Sequence, residues 1–184
     1  MDYSNLDDIS IVEITIKNDK NAFAVLISRY QGKLFSYILR LINHREESAD
    51  VLQEVFLKAY KSLKSFNSKK SFSSWIYRIA HNESVNWLKK NTKYKKQSLD
   101  DENNPIDVSD SHDLSAASII NEERVELIKS LAKLPIKYKE VLVLRFVEEK
   151  SYEEISQIIS KSVNAVGIMI NRAKKMLAEI HKID

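Results

Sequence analysis

SYEEISQIISKSVNAVGIMINRAKKML, residues 151–177, is the stretch whose reading decides the fold. Ile155, Ile158 and Ile159 recur at helical spacing, a short break follows at Lys161 and Ser162, and Val166 and Ile170 resume the pattern. Two amphipathic helices can therefore pack on each other across a tight turn. Ser151 with Glu154 forms an S-x-x-E capping box at the start of the first, and Ser162 can cap the second. This is the pattern of a helix-turn-helix, whose second helix carries its N-terminal end toward a phosphate or base edge in the major groove. Arg172, Lys174 and Lys175 add positive charge later in that helix, although basic side chains there also simply complement the helix dipole.

Upstream of this motif the periodicity predicts helices near 119–133 and 136–149, with Pro135 suited to a first turn, and the final helix extends over 162–181. Before them, Pro105 and the polar run SLDDENNPIDVSDSHD break all periodicity. Residues 1–91, 92–118 and 119–184 thus read as a first domain, a flexible acidic linker and a second domain. In the first, apolar stripes predict helices over about 19–43, 46–63 and 72–90. Ile9, Ile11, Val12, Ile14 and Ile16 are rich in β-branched residues and compatible with a strand, but 6–17 is read as helix, with Asn18 and Asp19 supplying cap chemistry to the next. The expected fold class is all-α, two small helical domains.

Composition agrees and excludes several functions. Two glycines and two prolines in 184 residues favour long helices over many-turned sheets, and 43% hydrophobic residues exclude disorder throughout. Absence of cysteine removes disulfides, thiol catalysis and thiolate metal sites, while His44, His81, His112 and His181 are too scattered for a zinc cluster. No metal or other cofactor is expected. Neither a signal peptide nor an apolar run of roughly 18 residues is present, so a cytoplasmic protein without membrane insertion is expected. The net charge of +3 argues little by itself; its distribution matters more.

Residues 69–96 hold eight Lys or Arg against one acid, Glu83, interleaved with Phe72, Trp75, Tyr77, Trp87 and Tyr94. Cations neutralise phosphates without reading sequence, and aromatic faces stack on bases that have left the duplex. The plainer reading makes Trp75 and Trp87 core residues and the lysines a solvated face. In SADVLQEVF, Asp50, Gln53 and Glu54 share a helical face adjoining Leu52 and Phe56, able to dock a partner or simply face solvent. No histidine or nucleophile lies near to suggest catalysis.

Read in order, AFAVLISRYQGKLFSYILRL (22–41), ADVLQEVFLKAYKSLKSF (49–66) and FSSWIYRIAHNESVNWLKK (72–90) resemble region 2 of the extracytoplasmic-function sigma factors, and residues 131–177 resemble region 4. The resemblance implies a non-enzymatic specificity subunit of bacterial RNA polymerase. It implies that Asp50, Leu52, Gln53, Glu54 and Phe56 form the face that grips core polymerase. The loop around Ser65, Phe66, Asn67, Ser68, Lys69 and Lys70 would capture a flipped base of the minus-ten element. The exposed start of the following helix, Ser73, Ser74, Trp75, Tyr77, Arg78, His81 and Asn82, would meet the melted strand. Ser162, Asn164, Ala165, Ile168, Met169, Asn171, Arg172 and Lys174 would hold the minus-thirty-five element. Partners implied are core RNA polymerase, promoter DNA and an anti-sigma factor. The linker, with six acids between Asp100 and Asp113 and no Lys or Arg, would thread the polymerase's positive channels.

One departure stands out. The family's recognition helix usually shows lysine or arginine and serine where this chain has Gly167, Ile168 and Met169, and threonine where it has Ala165. Ile168 or Met169 would then contact thymine methyls in place of hydrogen-bonded readout. Two other readings compete: a helix-turn-helix regulator acting on duplex DNA without polymerase, and a sigma-derived interaction protein that has lost promoter reading. An enzyme fits least, since no phosphate loop, metal-spaced histidines or nucleophile–base pair occurs.

Overall fold

The computed structural model describes residues 3–17, 19–91, 127 and 129–183. The expected linker, and most of the helix expected over 119–133, lie outside them; residues 129–133 are helical. Among the described residues every regular element is helical: α1 (Asp8–Lys17), α2 (Phe23–Ile42), α3 (Arg45–Ser62), α4 (Phe72–Lys90), α5 (Ile136–Leu142), α6 (Tyr152–Ile159) and α7 (Val163–Ile183). The β-branched run of 9–16 is helical because tertiary contacts outweigh its local preference. Asp7 accepts the Ser10 N–H, and Ile11 and Val12 are buried. Arg29 of α2 donates to Asp8 and to the carbonyls of Ser4 and Leu6, fastening α1 to the bundle.

Local chemistry sets the remaining boundaries. Asp19 accepts the Asn21 N–H in a short 3-10 turn, Lys20–Ala22, that leads into α2, and α2 ends at Asn43, whose φ of 59° is the left-handed stop asparagine tolerates well. Ser71 caps α4, and Ser151 with Glu154 makes the full reciprocal capping box on α6. The expected helix over 136–149 is α only to Leu142; Val143–Val147 widen into a π-helical turn, and Glu149 takes a φ of 53°. Among the described residues, no helix is long and apolar enough to cross a membrane.

The core of α2, α3 and α4 includes Leu26, Leu34, Ile38, Val55, Ala59, Phe72 and Ile76; that of α5, α6 and α7 includes Val141, Leu144, Ile155, Ile158, Val166 and Ile170. The two groups of helices are not separate. α6 lies against α4, and α5 with its π turn reaches α2, so that the buried surfaces form one continuous apolar cluster.

Candidate nucleic-acid interface

On α3, Asp50, Gln53 and Glu54 are exposed along one stripe, with Leu52 and Phe56 half-buried behind them against the core. The stripe has a fourth member that the sequence reading passed over. Leu57, seven residues beyond Asp50, is 51% exposed. Its spacing from Asp50, Gln53 and Glu54 is the signal that could have found it.

The loop between α3 and α4 exposes Asn67, Ser68, Lys69 and Lys70, and Asn67 folds it by accepting the Lys69 N–H at 3.0 Å. Phe66 is not free in this loop. Its ring centroid lies 5.1 Å from that of Trp75, tilted against it, and 5.6 Å from that of Phe72, edge-on, making an aromatic base on which the polar tip stands. Trp87 is half-buried and donates its indole N–H to Glu47 at 2.8 Å, a packing role as the plainer reading held. Lys58 of α3 pairs with Glu83, which partly neutralises the single acid of the basic 69–96 stretch.

The expected exposed start of α4 needs correction. Arg78 and Asn82 are exposed, but Ser74 and Tyr77 are buried, at 3% and 1% exposure. Ser74 lies on the side of α4 that faces the core. Tyr77 is buried because the C-terminal helices dock over it and Glu148 accepts its hydroxyl hydrogen. Burial, then the Glu148 carboxylate, pushes the Tyr77 phenol far above its ordinary pKa. Beside it, Lys150 donates to Ser73 Oγ at 2.8 Å with its ammonium 4.8 Å from the Tyr77 ring centroid. His81 Nδ1 meets Glu140, whose carboxylate also accepts from the Tyr37 hydroxyl at 2.6 Å. Ser73, Tyr77 and His81 therefore bond to the C-terminal half. Next to this contact a cleft of about 640 Å³ is lined by Arg29, Lys33 and Arg40 of α2 and by residues 147–150.

The recognition helix is open by contrast. α7 buries Val166, Ile170 and Ala173 and half-buries Met169, Met176 and Leu177. Asn164, Ile168, Asn171, Arg172, Lys174 and Lys175 stay exposed, whereas Ala165 is partly covered. Met169, expected among the reading residues, is half-buried, with part of its side chain packed against the core. Ser162 caps the helix, its Oγ accepting the Ala165 N–H at 3.2 Å.

Residues 26–94 match the model of sigma-70 region 2, and residues 124–177 that of sigma-70 region 4. The chain is 33% identical to the ECF RNA polymerase sigma-E factor of Haemophilus influenzae, over 94% of each chain. It is 30% identical to the ECF RNA polymerase sigma factor SigW of Bacillus subtilis, over 88% of this chain and 89% of that one. In structure it resembles CnrH, solved with the cytosolic domain of CnrY, with a TM-score of 0.70 at 21% identity over 96% of this chain and 98% of that one. It also resembles the sigma factor RpoE of Bartonella quintana, solved with the anti-sigma factor NepR, with a TM-score of 0.67 at 20% identity over 88% and 98%. The two structural likenesses speak for the fold.

Proposed function

Since the chain belongs to the extracytoplasmic-function sigma factors of the sigma-70 family, we propose that it is a dissociable, non-enzymatic subunit that directs core RNA polymerase to specific promoters from the cytoplasm. The observation that carries this reading is the coexistence of two exposed faces. One is the Asp50–Gln53–Glu54 stripe, extended by Leu57; the other is the capped recognition helix with Asn164, Ile168, Asn171 and Arg172 outward. A duplex-binding regulator has no use for the first, and a factor that had lost promoter reading has no use for the second.

In this reading residues 1–91 form the polymerase- and minus-ten-binding domain, 92–118 the linker and 119–184 the minus-thirty-five-binding domain. Phe66, Trp75 and the exposed Asn67, Lys69 and Lys70 supply the aromatic floor and cationic rim for an unpaired strand, with Arg78 and Asn82 beyond them. Ser73, Tyr77 and His81 join only when the C-terminal helices leave α4, because Lys150, Glu148 and Glu140 hold them in the docked form. Polymerase binding draws the halves apart, and an anti-sigma factor keeps them unavailable until its release. Polymerase supplies the catalysis and its metal.

The test is run-off transcription by purified core polymerase on genomic DNA, with and without this protein, mapping the RNA starts. Specific starts that depend on the protein are expected. Polymerase binding without starts would favour an interaction protein instead, and duplex binding without polymerase a plain regulator.

A further inference from the structure

Resting on the promoter-reading role above, we infer that Ile168 is a specificity-determining residue that reads the C5-methyl group of a thymine in the minus-thirty-five element. Gly167 has no side chain to offer a base and Met169 is packed against the core, which leaves Ile168, 46% exposed, as the apolar side chain of this turn on the open face. Its phase is fixed from behind: Val166, Ile170 and Ala173 are fully buried, so the helix cannot rotate to hide it without unpacking them. Asn164 lies one turn before it, Asn171 and Arg172 one turn after, all exposed on the same side. An exposed isoleucine set between amide and guanidinium groups matches the edge an A·T pair shows in the major groove, where adenine offers N6 and N7 to an amide and thymine offers a methyl. The site is open in the docked form as well, since α6 and not this face of α7 lies against α4.

An apolar contact of this kind distinguishes thymine from uracil, which differ only in that methyl. The experiment takes holoenzyme made from the full chain and a promoter found by the start-site mapping. Each thymine of the minus-thirty-five region is replaced in turn by deoxyuridine, and duplex binding is measured. One position should weaken binding about fourfold, the worth of one buried methyl. Ile168→Ala should weaken binding to the thymine promoter by a similar factor and respond no further to uracil at that position. Met169→Ala should retain the thymine–uracil difference. If no thymine responds, or if Ile168→Ala keeps the full difference, the inference fails while promoter recognition stands. If no promoter emerges from the mapping, the functional reading fails and the inference with it. The uracil arm uses the unaltered protein, so the absence of a responsive thymine overturns the inference without depending on any variant, and Ile168 is exposed, so its truncation leaves the core of α7 intact.

Discussion

Gly167 looks at first like the defect of the recognition helix, because a glycine in a helix interior costs about 1 kcal/mol relative to alanine. A Cβ there would meet only the Tyr152 ring, at 3.6 Å, an ordinary contact. Gly167→Ala should therefore raise stability by about 0.5–1 kcal/mol in urea unfolding and leave polymerase binding unchanged. Lys139 is a second residue whose chemistry shows in a bulk measurement. It is buried at 8% exposure, and desolvation pushes its ammonium down to about 8 from 10.5. Below pH 8 the folded chain holds that charge out of water; from about pH 8 to 10 the unfolded chain binds the proton the folded one has lost, so stability rises with pH, by at most about 3 kcal/mol. Tyr37 and Tyr77 act in the opposite sense. Burial holds their phenols well above 10.0, so above about pH 10 the unfolded chain alone releases those protons and stability falls. Urea midpoints should peak near pH 10, and Lys139→Met should abolish the rise on the alkaline side of neutrality while being the more stable protein at pH 7. Gly167 was legible in sequence, but the burial of Lys139 was not. Lysine is ordinarily a surface residue, and nothing in IKYKEVL marks Lys139 as the inward one.

Among the elements, legibility followed the strength of the local signal. The capping box of α6 was readable because Ser151 and Glu154 satisfy that helix end from neighbouring positions, and α2 because its apolar residues recur at helical spacing. Ser151→Ala should cost about 1 kcal/mol, seen as an earlier loss of helical signal on heating. The start of α4 misled for a physical reason. Ser74 and Tyr77 are polar in composition, but which face they occupy is set by packing from other helices, including α6, far later in the chain. The α3 stripe was readable from spacing, except for Leu57, which a rule of apolar inside and polar outside assigns to the core. Because Glu54 is exposed, Glu54→Lys should leave the unfolding midpoint within about 0.5 kcal/mol of the parent, yet reduce affinity for core polymerase at least about tenfold. Equal affinity would remove this stripe from the docking face.

Across the whole molecule, the sequence suggested two domains on a tether, and the docked contact between them is what no local pattern announces. Glu140, at 4% exposure, sits with its carboxylate between Tyr37 and His81, partners 103 and 59 residues away in sequence. Glu140→Ala leaves the buried Tyr37 hydroxyl and the half-buried His81 ring without that acceptor and should destabilise the docked form by about 1–3 kcal/mol. The absence of cysteine allows clean labelling through a pair introduced at the exposed Lys61 and Lys175. Energy transfer between them should report a changed, broader distance distribution in Glu140→Ala; an unchanged distribution would mean that this carboxylate does not hold the halves together. The π turn at Val143–Val147 bears on the same contact through helical phase. It accommodates more residues per turn than the α-helix before it, so it takes up one extra residue while all that follows keeps nearly the phase an unbroken α-helix would give it. Removing one residue there and restoring α geometry would leave Glu148 and Lys150 turned toward Tyr77 and Ser73, on the same side as Glu140 upstream. A single-codon deletion within Val143–Val147 thus spares the contact, whereas the same deletion within Ile136–Leu142 swings all that follows by about 100° and unlatches it, making this short wide turn the place where the chain can lose a residue and still close.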